Sequence, residues 1–251
     1  MTDRRAPPSP GTIGLEPAPS TAPEGDPVPS GRQVIHRVIT ATGDWQLQQR
    51  GGHYELICSG VFLMASYNRD SDRALATMAL GRIVGERLRV LVGGLGVGFT
   101  AQAALEDDRV RELDVVEVEP VVIEWHRRYF STLCAAPLDD PRTRVHEDDL
   151  FDLSLPPRSY DAILLDTDNG PDWLARPNNA RLYQHAAVVR FLDALTDKGV
   201  LAVWSANPAP AFAKLLAQKG RQVEAIETTD AVGPDRDHPA WVYLVQSRHA
   251  E

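Results

Sequence analysis

The sequence predicts an α/β fold: a doubly wound, mostly parallel sheet of seven strands, closed by a C-terminal antiparallel hairpin and preceded by a small antiparallel β meander. Three observations predict it. From Arg89 to Trp204, apolar runs with strand character alternate with helix-like segments, and such alternation builds a parallel sheet. The run Arg89-Val90-Leu91-Val92 feeds a glycine cluster, Gly93-Gly94-Leu95-Gly96-Val97-Gly98, and a helix-like segment follows at once. After the last helical segment, two strand-like runs are joined by a polar loop too short for a crossover helix, so they pair antiparallel.

Taken in order, residues 1–31 hold eight of the 19 prolines and few large apolar groups. Such a segment cannot bury enough surface to offset its ordering entropy and is expected to be a disordered tail. Residues 32–66 carry four short β-like runs (34–40, 45–48, 54–58 and 61–64) broken by turn residues such as Gly51-Gly52, which predicts the meander. A helix is expected over 70–86, with Leu75, Met78, Ala79, Leu80, Ile83 and Val84 at helical spacing. The rest of a domain spanning 67–249 alternates strands at 89–95, 113–118, 143–146, 162–166 and 200–204 with helices at 99–106, 121–130, 180–195 and 210–218. The final hairpin is expected from 222–228 and 241–246 across a loop at 229–239. Five parallel strands closed by a reversed pair is the Rossmann-like, class I methyltransferase arrangement rather than that of a nicotinamide dehydrogenase.

Composition narrows the function classes. A hydrophobic share of 43% supports a sizeable core, and a net charge of -9 argues against non-specific nucleic-acid binding, which needs a basic face. The two cysteines, Cys58 and Cys134, lie far apart and outside any C-x-x-C, so neither a disulfide framework nor a thiolate zinc site is expected. No apolar run nears the roughly 20 residues that span a bilayer, and no apolar h-region follows the N-terminal arginines. A cytoplasmic protein with no membrane partner is the expectation.

Open α/β sheets bind ligands at the carboxyl ends of their strands, near the point where strand order reverses. Here the first such end is the glycine turn. Gly94, Gly96 and Gly98 read G-x-G-x-G, with Phe99 where the dinucleotide fingerprint has its last glycine, a spacing that suits nucleosides lacking a pyrophosphate, above all S-adenosylmethionine and its relatives. Nineteen residues beyond Gly98, a second apolar run ends in Glu117, placed to accept hydrogen bonds from two ribose hydroxyls. The third strand ends in Glu147-Asp148-Asp149, where Asp148, or Asp149, can accept from an adenine amino group. The fourth ends in Asp166-Thr167-Asp168-Asn169. Asp166 follows a run buried on both faces and stands beside whatever lies next to the nucleoside. There it can hold an ammonium and relay its proton, or simply cap the loop through backbone N–H groups. Trp173 and Tyr183 are further substrate-side candidates. His146 through Asp149 point alternately to opposite faces of a strand, so no metal site is expected.

Over about residues 33–246, the chain resembles the spermidine synthase family of polyamine aminopropyltransferases. The resemblance rests on the meander, the following helix, the Gly-Gly turn, Val116-Glu117-Val118-Glu119, the acid pair after strand three and Tyr160-Asp161-Ala162-Ile163-Leu164-Leu165-Asp166. It implies binding of decarboxylated S-adenosylmethionine and metal-free transfer of its aminopropyl group to an amine. It implies Glu117 on the ribose, Asp148 and Asp149 at the adenine, Asp166 assisting amine attack, and pairing as a homodimer. Three departures stand out. Val97 replaces an aspartate that faces the aminopropyl end in G-G-G-D-G. The family's D-S-S-D-P loop reads Asp166-Thr167-Asp168-Asn169-Gly170, which leaves Asp168 and Asn169 as acceptor-side candidates. The tyrosine and glutamate of the first helix are not evident in residues 68–74. Methyl transfer from intact S-adenosylmethionine to a small molecule, and a catalytically silent nucleoside-binding protein, are the alternatives on the same fold.

Overall fold

The structure, a computed structural model, describes residues 31–218, 221–231 and 237–247. The Pro-rich tail expected over 1–31 lies outside the described residues apart from Gly31.

Four antiparallel strands open the described chain: β1 (Gln33–Thr40), β2 (Gly43–Arg50), β3 (His53–Cys58) and β4 (Val61–Ala65), in the order β1-β2-β3-β4. Alternation decides their inner face. Trp45 and Leu47 of β2 pair with Cys58 and Leu56 of β3, and all four are buried. They pack on Val121, Val122, Trp125 and Phe130, so the meander leans on the helix that follows the second strand of the main sheet.

The first helix, α1 (Asp70–Leu80), is shorter than the spacing predicts. Arg109, from a distant loop, donates to the carbonyls of Leu80 (3.0 Å) and Ile83 (2.7 Å) and closes the helix early. Ile83 stays in the core while Val84 is 90% exposed. The seven-stranded sheet then comprises β5 (Leu88–Gly93), β6 (Val110–Glu117), β7 (Thr143–Glu147), β8 (Tyr160–Leu165), β9 (Leu195–Ser205), β10 (Val223–Ala231) and β11 (Asp237–Gln246). Its order is β10-β11-β9-β8-β5-β6-β7, parallel from β9 to β7, with β11 antiparallel to β9 and β10 antiparallel to β11. Period-two alternation sorts the strands onto two cores. Val90, Val92, Ala162, Leu164, Val200 and Ala202 face α1 and α2 (Phe99–Leu105). Leu91, Ile163, Leu165, Leu201 and Val203 face α4 (His185–Ala194) and α5 (Pro210–Leu216).

Three further expectations are adjusted. The helix expected over 121–130 is α3 (Pro120–Trp125) running into a π-helical turn, His126–Phe130, which buries both His126 and Phe130. The helix expected over 180–195 splits into a 3₁₀ segment, Pro177–Tyr183, and α4, because Gln184 takes an extended conformation and Leu195 already belongs to β9. Of the loop expected at 229–239, the described residues 229–231 and 237–239 are strand. Thr229 pairs with Pro239 and Asp230 with His238, and the Asp230 carboxylate anchors this end of the hairpin on α1. Among the described residues no helix is long and apolar enough to cross a membrane.

Candidate active site

β5 is flanked by β6 and β8, so the chain reverses direction across the sheet at the carboxyl end of β5. A cavity of about 450 Å³ opens there, walled by the strand ends, the meander and the tip of the hairpin. Gly94 shapes its floor. Its φ is +90°, and a Cβ on it would lie 2.0 Å from the Asp166 carbonyl oxygen, so only glycine lets the ends of β5 and β8 meet. Gly96 lines the cavity too, packed under the Met64 thioether of β4. Gly98 does not line it. A Cβ there would strike the His126 ring at 2.6 Å, and its place in the turn is a matter of helix packing rather than ligand approach.

Glu117 ends β6 inside the cavity. Its Oε2 accepts from the Leu95 N–H (3.1 Å) and its Oε1 from the Glu119 N–H (2.9 Å), which fixes the carboxylate and leaves each oxygen capacity for another donor. Burial raises its pKa, opposed by those two backbone bonds. The meander supports this end of the strand. Buried Glu119 accepts from the Thr40 hydroxyl (3.1 Å) and from that of Thr42, and Thr42 in turn accepts from Trp45 Nε1 (2.9 Å). Asp148 and Asp149 both line the cavity but are not equivalent. Asp149 is committed, accepting from the Phe151 N–H (2.9 Å) and pairing with Arg181. Among the described residues, the Asp148 carboxylate accepts only from the Asp149 N–H (2.8 Å), through Oδ1. It is the acid of the pair with capacity for a ligand amino group.

Beyond the glycine turn, three carboxylates gather at one end of the cavity: Asp72 from α1, Asp166 from the end of β8 and Asp230 from β10. Asp166 Oδ2 accepts from the Thr100 hydroxyl at 2.6 Å. Asp230 accepts from the Ser71 N–H (2.8 Å) and hydroxyl (2.6 Å), and Trp204 Nε1 donates to the same hydroxyl (3.0 Å). Asp72 is 4% exposed, and among the described residues no side chain or backbone N–H donates to its carboxylate. Burial, then the nearby Asp166 and Asp230 charges, holds its pKa well above the usual carboxylate range. Burial likewise pushes Asp166 up to about 6; the Thr100 bond works against this and the Asp230 charge works with it. Among the described residues no group of side chains is arranged to hold a metal ion.

The remaining predicted residues divide. Asp168 lines the cavity, but its carboxylate is taken up by the N–H groups of Asn169 (2.8 Å), Ala175 (2.6 Å) and Arg176 (2.9 Å) and by Asn179 Nδ2 (2.9 Å). It closes a loop, with a left-handed φ of +58°, rather than presenting a free acid. Asn169 is buried, and its amide donates to the Phe62 carbonyl (3.0 Å), tying the loop to the meander. Trp173 stands 46% exposed at the cavity wall. Tyr183 does not line the cavity. Its hydroxyl donates to the Thr167 carbonyl and accepts from the Thr167 hydroxyl (2.9 Å), stiffening the segment after Asp166 from behind. Sequence reasoning missed Asp72, Asp230, Thr100 and Arg176. The first looks like an ordinary acid in a helix's first turn, the second lies in an expected loop, and neither carries a motif.

Fold and cavity together define a class: a Rossmann-like class I methyltransferase fold whose switch point carries a nucleoside-sized, acid-ringed cavity. The spermine/spermidine synthase domain matches residues 71–248, and the chain belongs to that family. Among curated proteins it is similar to a polyamine aminopropyltransferase of Mycobacterium tuberculosis (28% identical over 187 residues, 73% of this chain and 34% of that protein). It is also similar to putrescine N-methyltransferase 2 of Nicotiana tabacum (33% over 106 residues, 40% of this chain and 30% of that protein). The chain thus spans about a third of the length of these relatives. Among solved structures, a spermidine synthase in complex with the transition state analogue AdoDATO superposes with a TM-score of 0.68 at 17% identity, covering 85% of this chain and 73% of that one. The spermidine synthase of Thermotoga maritima gives 0.67 at 17% identity, over 85% and 72%. At that identity the likeness speaks to the fold.

Proposed function

We propose that this chain is a transferase that moves the aminopropyl group of decarboxylated S-adenosylmethionine onto a cationic small-molecule amine. Family membership and the aminopropyltransferase relative support the reading. The observation that carries it is the charge layout of the cavity. Asp72, Asp166 and Asp230 crowd one end, while Arg176, among the described residues the one lining side chain with a fixed positive charge, acts on Glu117 and Glu119 at the other. Buried carboxylates without a cation are costly, so this end favours ammonium groups and disfavours a carboxylate. Intact S-adenosylmethionine bears such a carboxylate on its chain; the decarboxylated form does not.

In this reading Glu117 accepts from the ribose diol, Asp148 from the adenine amino group, and Gly94 and Gly96 let the nucleoside lie against the main chain. The acceptor arrives as an ammonium, and deprotonating an alkylamine of pKa near 10 at neutral pH costs roughly 4 kcal/mol. Asp166, with its pKa pushed up to about 6, is mostly ionised at neutral pH and basic enough to take that proton. The freed nitrogen lone pair forms a bond to the methylene carbon on the sulfonium. The C–S bond breaks and its electron pair stays on sulfur, releasing methylthioadenosine as a neutral thioether. The proton passes from Asp166 to solvent.

A second reading, methyl transfer from the intact donor, is favoured by the putrescine N-methyltransferase relative and by Val97, which is fully buried and gives the glycine turn no charge toward the donor chain. Mass spectrometry of products formed from a panel of diamines with either donor tests both. An aminopropylated amine with methylthioadenosine is the expected outcome. A methylated amine with S-adenosylhomocysteine establishes the second reading, and nucleoside binding without product from any amine overturns both.

A further inference from the structure

We propose that Asp72 holds the primary ammonium group of the donor's three-carbon chain, and that this residue, rather than the glycine turn, selects a decarboxylated donor. The inference rests on the aminopropyl-transfer reading above and names the donor subsite within it.

The acids around the cavity differ in what satisfies them. Glu117 has two backbone donors, Asp230 has the Ser71 N–H and hydroxyl, and Asp166 has the Thr100 hydroxyl. Asp72, at 4% exposure, has none among the described residues, although it lines the cavity. A buried carboxylate in that condition is stable as an anion only when something brings it a cation with N–H groups. Nearby, Asn68 Oδ1 is buried without a donor, and the same amide's Nδ2 reaches Asp230 at 3.5 Å. Two acceptors without donors at one end of a cavity fit the several N–H bonds of a primary ammonium.

Position assigns Asp72 to the donor. Its main-chain carbonyl accepts from the Thr100 hydroxyl at 3.0 Å, and Thr100 is the second residue of α2, the helix that begins where the glycine turn ends. The same hydroxyl lies 2.6 Å from Asp166, whose main chain abuts Gly94. A three-carbon chain leaving a sulfonium beside the glycine turn would therefore meet Asp72 across the cavity, with Asp166 flanking the reacting carbon. The glycine turn itself supplies no counter-ion, since Leu95 and Val97 are both buried in the apolar cores. An intact donor would place its carboxylate on the carbon that carries this ammonium, facing Asp72 and Asp166 at once.

Titration calorimetry of the full chain with decarboxylated S-adenosylmethionine, S-adenosylmethionine and methylthioadenosine, which lacks the chain, tests the assignment. Asp72→Asn, an isosteric change, is expected to weaken the decarboxylated donor by about 30-fold, as loss of a charged hydrogen-bond partner does. It should leave methylthioadenosine within about twofold, which also reports that the variant folds, and should narrow the preference over the intact donor. Asp72→Glu should recover part of the loss. Unchanged affinity for the decarboxylated donor in Asp72→Asn, or an equal loss for methylthioadenosine, overturns the assignment. A wild-type chain with no preference for the decarboxylated donor overturns the aminopropyl reading itself, and this inference with it.

Discussion

Replacing Asp166 by asparagine is expected to inactivate the chain and yet stabilise it, with a gain that depends on pH. Burial holds the Asp166 carboxyl at about 6 against 3.8 for a free side chain, so the folded state binds its proton more tightly than the unfolded state does. Stability from this group is complete below pH 3.8 and is lost as pH rises through about 6. That gap corresponds to ~3 kcal/mol, and because Asp166 faces an open cavity, screening brings the expected penalty at pH 8 to about 2 kcal/mol. Asparagine keeps an acceptor for the Thr100 hydroxyl, removes the charge and relieves Asp72, whose own pKa Asp166 helps to raise. For a chain of this size the gain amounts to roughly 4–8 °C in Tm. Thermal unfolding of ligand-free wild type and Asp166→Asn at pH 4.5 and pH 8 reads it directly. The variant should be distinctly more stable at pH 8 and keep only about a third of that gain at pH 4.5, while methylthioadenosine still binds and turnover is lost. A difference in Tm that does not change with pH, or a variant less stable than wild type at pH 8, refutes the reasoning that an unneutralised carboxylate strains this site.

Three further outcomes follow from the geometry. Glu117→Gln removes the charge proposed to lie beneath the ribose and sets an amide donor against the Leu95 or Glu119 N–H; it should weaken methylthioadenosine by about 100-fold in calorimetry and lower Tm as well. Gly94→Ala pushes a methyl to within 2.0 Å of the Asp166 carbonyl at a φ of +90°, and should destabilise by about 2–5 kcal/mol in denaturant unfolding. Asp168→Ala strips the loop of the acceptor for four donors, and limited proteolysis should then cut within residues 168–179. Nucleoside affinity should change far less, because none of those bonds is made to Glu117 or Asp148 and only the Arg176 charge links the loop to Glu117.

The legible part of this site is the part built from one βαβ unit. The glycine turn and Glu117 lie in consecutive strand ends, so their spacing along the chain is their spacing across the sheet, and a motif suffices to read it. The acceptor side is different. Asp168 sits in a stretch of sequence that reads as free acid, yet four loop donors absorb its carboxylate, and no local pattern announces them. The end of α1 is set by Arg109 arriving from elsewhere. Asp72 and Asp230 reach the cavity from a helix and a hairpin far apart in sequence, joined through Ser71 and Trp204, so only the assembled fold brings their charges beside Asp166. Val97 and Asn169, taken position by position, imply a site short of acids. The cavity contradicts that arithmetic, because the proposed transfer requires negative potential in a volume beyond the sulfonium and any backbone bordering that volume can supply it. In this chain α1 and the closing hairpin border it, and both do.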